Sequence, residues 1–288
     1  MKLFAQVRQL LEMIKFSHTV FALPFAILTA FLASGGLPPL DKLGWILLAM
    51  AGARSAAMSF NRITDRDIDA ANPRTARRHL PAGKISLRTA WIFFLITCAL
   101  FVFSAAMLNT LALALSPVAL FVILFYSLSK RFSILCHAWL GLALGLGPVG
   151  AWIAIKAQFD VTPVMFGLVV MFWTAGFDII YACQDYEFDV TAKIRSVPAV
   201  FGIAKGLWIA RALHLITVLL LAAIIFIDGV GGPYFITSVL LVSLLLCYEH
   251  LIVKADDLKR LNEAFFRVNG VISSMLMLAV LADLFVGP

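Results

Sequence analysis

Charged residues are scarce in this chain. Only 14% of its 288 residues are Asp, Glu, Lys or Arg, whereas 62% are hydrophobic. A soluble domain has about 25% charged and about 45–50% apolar residues. This shortage of charge excludes an ordinary soluble protein and indicates an integral membrane protein with the lipid bilayer as its partner.

Strand-like alternation of polar and apolar residues is also absent, whereas apolar runs of about 20 residues recur. Because lipid cannot satisfy backbone polar groups, only helices and closed barrels cross a membrane. The pattern therefore predicts an all-α polytopic membrane protein with nine transmembrane helices. The predicted spans are 17–36, 43–60, 87–107, 110–128, 133–155, 163–183, 207–227, 233–253 and 267–285.

Two further features limit the interpretation. No CxxC pair occurs among the four cysteines, so we expect them to be small buried hydrophobes. We expect no cleavable leader, because no small-residue cleavage site stands out near the first span.

The uncharged stretch from Thr89 to Ser129 is long enough for two helices. We expect the turn at Asn109, with Ser116-Pro117 as the weaker candidate.

The basic residues predict the orientation. Twenty of the 23 Lys and Arg lie at the N-terminus or in alternate loops, whereas the opposite loops hold only Lys42 and Lys156. The positive-inside rule places the N-terminal segment 1–16 in the cytoplasm, and likewise the loops 61–86 and 184–206. We expect a bacterial inner membrane. Since the basic residues follow topology, we expect no nucleic acid, and nothing implies an obligate protein partner.

Two acidic motifs end spans two and six, and they carry the chemistry. The first reads NxxxDxxxD and the second DxxYxxxDxxxD. Groups spaced by four residues stay on one helix face, so each motif forms a stripe, whereas Asp67 and Glu187 face away. The stripes consist of Asn61, Asp65 and Asp69, and of Asp178, Tyr181, Asp185 and Asp189.

The position of the motifs indicates an internal repeat. They lie four spans apart on the same membrane side, which predicts two pseudo-repeated four-helix units plus one helix, within a single domain over 1–288. At helix C-termini the macrodipole disfavours carboxylates. Bound Mg²⁺ would relieve the repulsion and would bridge carboxylates to phosphate oxygens. The alternative to a metal site is an ordinary charged loop with solvated Asp residues.

Basic residues lie around both motifs. Arg suits bidentate phosphate recognition, and Lys supplies a point charge. Membrane-surface attraction and topology account for at least half of the set. Arg54 lies two turns inside span two on the stripe of Asn61, and an intramembrane Arg is a functional candidate by default. Tyr126 precedes the short Lys130-Arg131 loop. The candidates for diphosphate contacts are Arg74, Arg77, Arg78, Lys130, Arg131, Lys193 and Arg195.

With these motifs the chain resembles the UbiA superfamily of intramembrane aromatic prenyltransferases. The resemblance covers nearly the whole chain, and its paired motifs are specific. It is carried by Asn61, Asp65 and Asp69, by 74–83 (RTARRHLPAG), by 126–131 (YSLSKR), by the Asp178–Asp189 motif, by 193–196 and by Phe201-Gly202.

The resemblance implies transfer of a polyprenyl chain from its diphosphate to an aromatic ring carbon, in quinone biosynthesis. It implies that Asp65, Asp69, Asp185 and Asp189 hold Mg²⁺ as metal and catalytic residues. Asp178 would deprotonate or orient the phenol. The implied substrate-binding residues are Asn61, Arg54, Arg78, Tyr126, Lys130, Arg131, Tyr181 and Lys193.

Two departures concern the acceptor. His79 stands where the ubiquinone branch usually has Pro, and residues 16–24 (FSHTVFALP) are more like a side branch that includes menaquinone-pathway enzymes. The aromatic acid is thus 4-hydroxybenzoate or, as an alternative, a hydroxynaphthoate. Haem-tail or lipid ether synthesis, a transporter and a membrane scaffold are remoter alternatives. A transporter is disfavoured because the charges cluster at one membrane face rather than at the midplane.

Overall fold

The computed structural model describes residues 9–14, 21–227 and 230–287. Within these ranges the regular structure is helical, apart from an isolated bridge between Lys254 and Asp257. In this described part of the chain, eight helices are long and apolar enough to cross a membrane, and a shorter one occupies the first predicted span. The predicted class is confirmed. The helices are α1 (Leu23–Ser34), α2 (Leu40–Thr64), α3 (Arg66–Ala71), α4 (Leu87–Leu108), α5 (Thr110–Ser129), α6 (Cys136–Lys156), α7 (Val161–Ala182), α8 (Tyr186–Thr191), α9 (Val197–Phe201), α10 (Ile203–Ile224), α11 (Pro233–Ile252) and α12 (Asn269–Val286), with a π-helical turn at Glu263–Val268 before α12.

The long helices begin and end close to the predicted boundaries. The turn predicted at Asn109 is confirmed: its side-chain oxygen accepts a hydrogen bond from the Ala112 amide at 2.8 Å and caps α5. The weaker candidate is wrong, because Pro117 lies inside α5. The predicted segment 1–16 and the start of span one lie largely outside the described residues.

Helices α6 and α7 approach each other closely because their contact consists of small residues. A Cβ on Gly141 would collide with the backbone carbonyl of Met171, and one on Gly145 would meet the carbonyl of Gly167. Small residues spaced by four allow such contact between membrane helices, where packing rather than the hydrophobic effect drives association. This contact fixes α7, which carries the second acidic motif, against α6.

The other helices pack around this pair. Helix α1 packs on α6 and α12, α10 packs on α7, and α2 packs on α4 and α5. Aromatic side chains fill the core beside α7, where Trp173 meets Phe25 and Phe177 with ring centroids 5.5 and 5.0 Å apart. Both acidic motifs therefore begin on helices that are fixed by their neighbours.

Each acidic motif spans a break in its helix. Asp65 follows α2 with φ −91° and ψ 6°, and the six-residue α3 begins after it. Asp185 ends a 3₁₀ turn with φ −101° and ψ 8°, and the six-residue α8 begins after it. The matching backbone supports the predicted repeat. The placement of every carboxylate at a helix C-terminus was wrong: Asp69 and Asp189 lie in the first turns of α3 and α8, where the helix dipole favours negative charge.

Candidate active site

Both acidic motifs line one polar cavity of about 300 Å³ at the end of the bundle. The loop 72–78, the end of α5 and the start of α6 complete its wall. Four predicted site residues lie outside this lining, and they are Arg77, Arg131, Lys193 and Arg195. The predicted residues that the fold brings together here are Arg54, Asn61, Asp65, Asp69, Arg74, Arg78, Tyr126, Lys130, Asp178, Tyr181, Asp185 and Asp189.

Asp65 is the most enclosed carboxylate of the two acidic motifs, with 1% of its surface exposed. Lys130 Nζ lies 2.5 Å from its Oδ2, and Asn61 Nδ2 donates to the same oxygen at 2.9 Å. Arg131 Nη2 lies 3.4 Å from Oδ1 and also donates to the carbonyl of Thr64. Charge and hydrogen bonds thus compensate for its burial.

Asp69 lies one turn further along, on α3. Arg78 Nη1 donates to its Oδ1 at 2.7 Å. Among the described residues no hydrogen bond reaches the buried Oδ2, whose basic neighbour Arg62 Nη1 stands 3.9 Å away. One anionic oxygen of Asp69 is therefore available to a cationic ligand.

Asp185 is held across the cavity by the loop 72–78. Arg74 donates from Nε to Oδ1 at 2.8 Å and from Nη2 to Oδ2 at 2.5 Å, and Asn72 Nδ2 donates to Oδ1 at 3.0 Å. This two-pronged bond is the strong geometry between Arg and carboxylate. Burial lowers the pKa of Arg74, but the hydrogen bonds and charge of Asp185 outweigh it, so the pKa lies above its ordinary value.

Asp189 occupies on α8 the place that Asp69 occupies on α3. Its Oδ2 accepts a hydrogen bond from Ser196 Oγ at 2.7 Å, and the same hydroxyl oxygen caps α9 by accepting from the Ala199 amide. Asp189 is 8% exposed. Its partner Ser196 is neutral, whereas Asp65, Asp69 and Asp185 have basic partners.

Asp178 lies two turns deeper on α7. Its Oδ2 is 2.6 Å from Nδ1 of His137, which is buried at the start of α6. The backbone amide of Val197 donates to Nε2 of the same ring at 3.2 Å. Asp178 thus belongs to a different hydrogen-bonded group from the four outer carboxylates.

Arg54 separates the polar cavity from an apolar one of about 210 Å³. Both cavities are lined by Arg54 and by Tyr126, so they adjoin there. Among the described residues Arg54 Nε is buried with no hydrogen-bond partner. A cation left in this position favours an anionic ligand.

Unpartnered polar atoms concentrate at the polar cavity. Seven buried side-chain nitrogen or oxygen atoms of the described residues lack a hydrogen-bond partner, and four of them belong to residues that line it. Each such atom costs about 1–3 kcal/mol unless something satisfies it. These four atoms favour a polar ligand, and they are Arg54 Nε, Asp69 Oδ2, Ser127 Oγ and Thr174 Oγ1.

Within the described ranges, no three His, Cys, Asp or Glu side chains form a ready metal cluster. Basic side chains neutralise Asp65, Asp69 and Asp185 in this structure. These basic side chains relieve part of the repulsion between the carboxylates, for which the sequence analysis named bound Mg²⁺.

Sequence reasoning missed several residues and separated others correctly. It gave no role to His137, Asn72 or Ser196, which bond to Asp178, Asp185 and Asp189; their one signal was proximity in sequence to charged motifs. The side chain of Asp67 is 86% exposed, as its position on the helix predicted, and it pairs with Arg66. Lys193 is exposed, and its role in substrate binding stays a prediction.

The chain is similar to known proteins along most of its length. Residues 22–271 match the UbiA prenyltransferase family. A curated relative from Francisella tularensis subsp. novicida (strain U112), named 4-hydroxybenzoate octaprenyltransferase, is 32% identical over 81% of this chain and 82% of its own. The apo structure of a UbiA homolog from Aeropyrum pernix K1 has a TM-score of 0.83 and 33% identity, covering 93% of this chain and 98% of the homolog. A UbiA homolog from Archaeoglobus fulgidus, solved bound to DMAPP and Mg²⁺, shares the fold with a TM-score of 0.73 and 23% identity, over 96% and 99% of the two chains.

Proposed function

This chain belongs to the UbiA prenyltransferase family, and from this premise we propose that it transfers a polyprenyl group from a polyprenyl diphosphate to a ring carbon of an aromatic acid. We propose 4-hydroxybenzoate as the acceptor, since the curated relative at 32% identity is named for that acid. The observation that carries the proposal is the meeting of two Asp motifs with Lys130, Arg74 and Arg78 around one cavity.

We propose that Asp65, Asp69, Asp185 and Asp189 hold Mg²⁺. Carboxylate oxygens suit this ion, and Oδ2 of Asp69, which accepts no hydrogen bond from the described residues, offers one at the cavity. The homolog bound to DMAPP and Mg²⁺ shares this fold. When bound, the ion supplies positive charge against the negative charge that develops on the departing diphosphate.

The basic side chains of the cavity bind the diphosphate itself. Lys130, Arg78 and Arg74 now hold carboxylates at 2.5–2.8 Å. A diphosphate gives them an equivalent anionic partner, so its arrival frees the carboxylates for cations. These side chains then stabilise the charge that forms as the C–O bond breaks and its electron pair leaves with the diphosphate.

The adjoining apolar cavity receives the prenyl chain. Its lining between α2, α4, α5 and α6 consists mostly of Ala, Leu, Ile and Met side chains. It meets the polar cavity at Tyr126, so the reacting carbon lies between diphosphate and chain. An apolar wall keeps water away from the allylic cation, which water would otherwise capture.

Arg54 and Asp178 orient the acceptor. We assign the acceptor's carboxylate to Arg54, which has no bonded partner for Nε among the described residues. The aromatic ring attacks the allylic cation and forms the new C–C bond. Asp178 takes the acceptor's hydroxyl proton or orients that hydroxyl for the attack, and the substituted ring carbon loses its hydrogen as a proton when aromaticity is restored.

The protein lies in a membrane, and we propose the bacterial inner membrane with the cavity open to the cytoplasm. The basic-residue distribution supports this orientation. Soluble Mg²⁺ and aromatic acids are available on that side.

The test is product formation in membranes that contain the overexpressed chain. A polyprenyl diphosphate and Mg²⁺ are offered with 4-hydroxybenzoate or with a hydroxynaphthoate, separately, and products are identified by mass spectrometry. We expect prenylated 4-hydroxybenzoate, lost on chelation of Mg²⁺. Product with the naphthoate alone would reassign the acceptor, and no product with either acid would contradict the proposed function.

A further inference from the structure

His137 bonds to Asp178, and the reaction proposed above gives it no task. We propose that His137 is a positioning residue that fixes one oxygen of Asp178 and leaves the other open to the aromatic acceptor. This inference rests on the proposed function, in which Asp178 acts on the acceptor's hydroxyl.

The hydrogen bonds define which ring nitrogen carries the proton. A backbone amide can only donate, so Nε2 of His137 accepts from Val197 at 3.2 Å. In the neutral ring the proton then lies on Nδ1, which donates to Asp178 Oδ2 at 2.6 Å. His137 is 4% exposed, so water does not compete for either bond.

Packing of α6 on α7 holds the ring in this place. His137, Gly141 and Gly145 are spaced by four residues and therefore share one face of α6. The two glycines bring that face against the α7 backbone at Met171 and Gly167. The next turn of the same face carries His137 toward the end of α7, where Asp178 lies.

The contacts of Asp178 are one-sided. Among the described residues, His137 is the hydrogen-bond partner of Oδ2, and no hydrogen bond reaches Oδ1. The side chain is 24% exposed and lines the polar cavity. The free oxygen is thus accessible to an acceptor, and its direction is set by the bond on the other side.

The loop after the second motif completes the arrangement. Ser196 bonds to Asp189 and the neighbouring Val197 bonds to His137, so one short segment is linked to two of the three acids of the second motif, to Asp189 directly and to Asp178 through His137. The Arg195 amide also donates to the Lys130 carbonyl at 2.9 Å. His137 therefore links Asp178 to the backbone that supports the outer carboxylates.

Three substitutions of His137 separate its two hydrogen bonds. The Asn amide can occupy the place of Nδ1, and the Gln amide the place of Nε2, whereas Phe keeps the ring and loses both bonds. We expect His137→Asn to keep kcat within about threefold, and His137→Gln and His137→Phe to lower it about 10- to 100-fold, as is typical when an orienting partner is lost. KM for the prenyl diphosphate stays unchanged, because Asp178 acts on the other substrate.

A second set of variants tests whether His137 acts through Asp178. In an Asp178→Asn background we expect His137→Gln to cause no further loss of kcat. His214→Gln is the matched control, since His214 is also buried but bonds to His250 on α11. Full activity of His137→Gln, an Asn variant as poor as the Gln variant, or additive losses would each overturn the inference.

Nitrogen-15 NMR of histidine-labelled protein in detergent tests the geometry without any turnover. We expect His137, assigned by its loss in His137→Asn, to be neutral and protonated at Nδ1, with a changed signal in Asp178→Asn. Protonation at Nε2 or at both nitrogens would overturn the inference. If the wild-type chain gave no product with either acid, the proposed function would fail while this spectrum still decided the geometry.

Discussion

The two acidic motifs have nearly the same backbone conformation, but their side chains have different surroundings. Asp65 and Asp185 each precede a six-residue helix with nearly equal φ and ψ. The Asp65 side chain is 2% exposed and bonds to residues of its own half, Lys130 and Asn61. The Asp185 side chain is 16% exposed and bonds across the cavity to Arg74. The helix break is therefore repeated in both motifs, whereas the partners that bond to the carboxylates differ between them.

This difference suggests a division of roles. The first motif is a buried, self-contained cluster that ties α2, α3 and the end of α5 together. The second is connected to the first half chiefly through the loop 72–78, whose Arg74 holds Asp185 while Arg78 holds Asp69. We infer that the first motif contributes to both stability and catalysis, and the second mainly to catalysis.

The largest expected effect comes from Asp65→Asn. It leaves Lys130 and Arg131 without their carboxylate, and we expect kcat to fall about 10³-fold, since charge stabilisation in the transition state is lost. Stability should fall by about 1–3 kcal/mol, less than for a fully buried pair because both cations can reach water. Thermal unfolding in detergent and the product assay measure the two effects. Asp67→Asn, in the same motif but exposed, is the control, and equal losses in both variants would contradict the assignment.

Asp185→Asn should separate the motifs. We expect about a 10²-fold loss of kcat with little change in the unfolding temperature, because Asp185 is less buried and Arg74 can turn to solvent. Glu187→Gln, exposed on the neighbouring α8, is its control. A drop in stability as large as that of Asp65→Asn would remove the proposed division of roles.

Arg74→Lys tests the bond between the halves. Lys keeps the charge but loses the two-pronged geometry, so we expect about a tenfold higher KM for the prenyl diphosphate and a smaller change in kcat. Arg77→Lys, exposed in the same loop, is the matched variant. An unchanged KM would mean that Arg74 bonds to Asp185 and does not bind the diphosphate.

The smallest effect is expected for Lys193→Ala. Lys193 is exposed and lies outside the cavity lining, although the family resemblance implies substrate binding. We expect KM and kcat to stay within about twofold, since an exposed charge contributes little. A KM increase above tenfold would restore Lys193 to the binding site.

Local features of this fold could be predicted and distant contacts could not. The spacing of Asp65 and Asp69 survives the helix break because the Asp69 amide still donates to the Asp65 carbonyl at 2.7 Å. The break itself depends on packing that no local pattern encodes. The same holds for the bond between Arg74 and Asp185, which lie more than 100 residues apart in the sequence. His137 was missed for the same reason, since only the contact of α6 with α7 brings it to Asp178.

The central claim is that both motifs form one site for diphosphate and Mg²⁺. The direct measurement is calorimetric binding of an unreactive prenyl thiodiphosphate, with and without Mg²⁺, to the wild type and to Asp69→Asn, Asp189→Asn and Asp67→Asn. We predict Mg²⁺-dependent binding that is weakened at least tenfold in both Asp69→Asn and Asp189→Asn and unchanged in Asp67→Asn. Binding that is independent of Mg²⁺, or that is weakened by only one of the two motif variants, would contradict the claim.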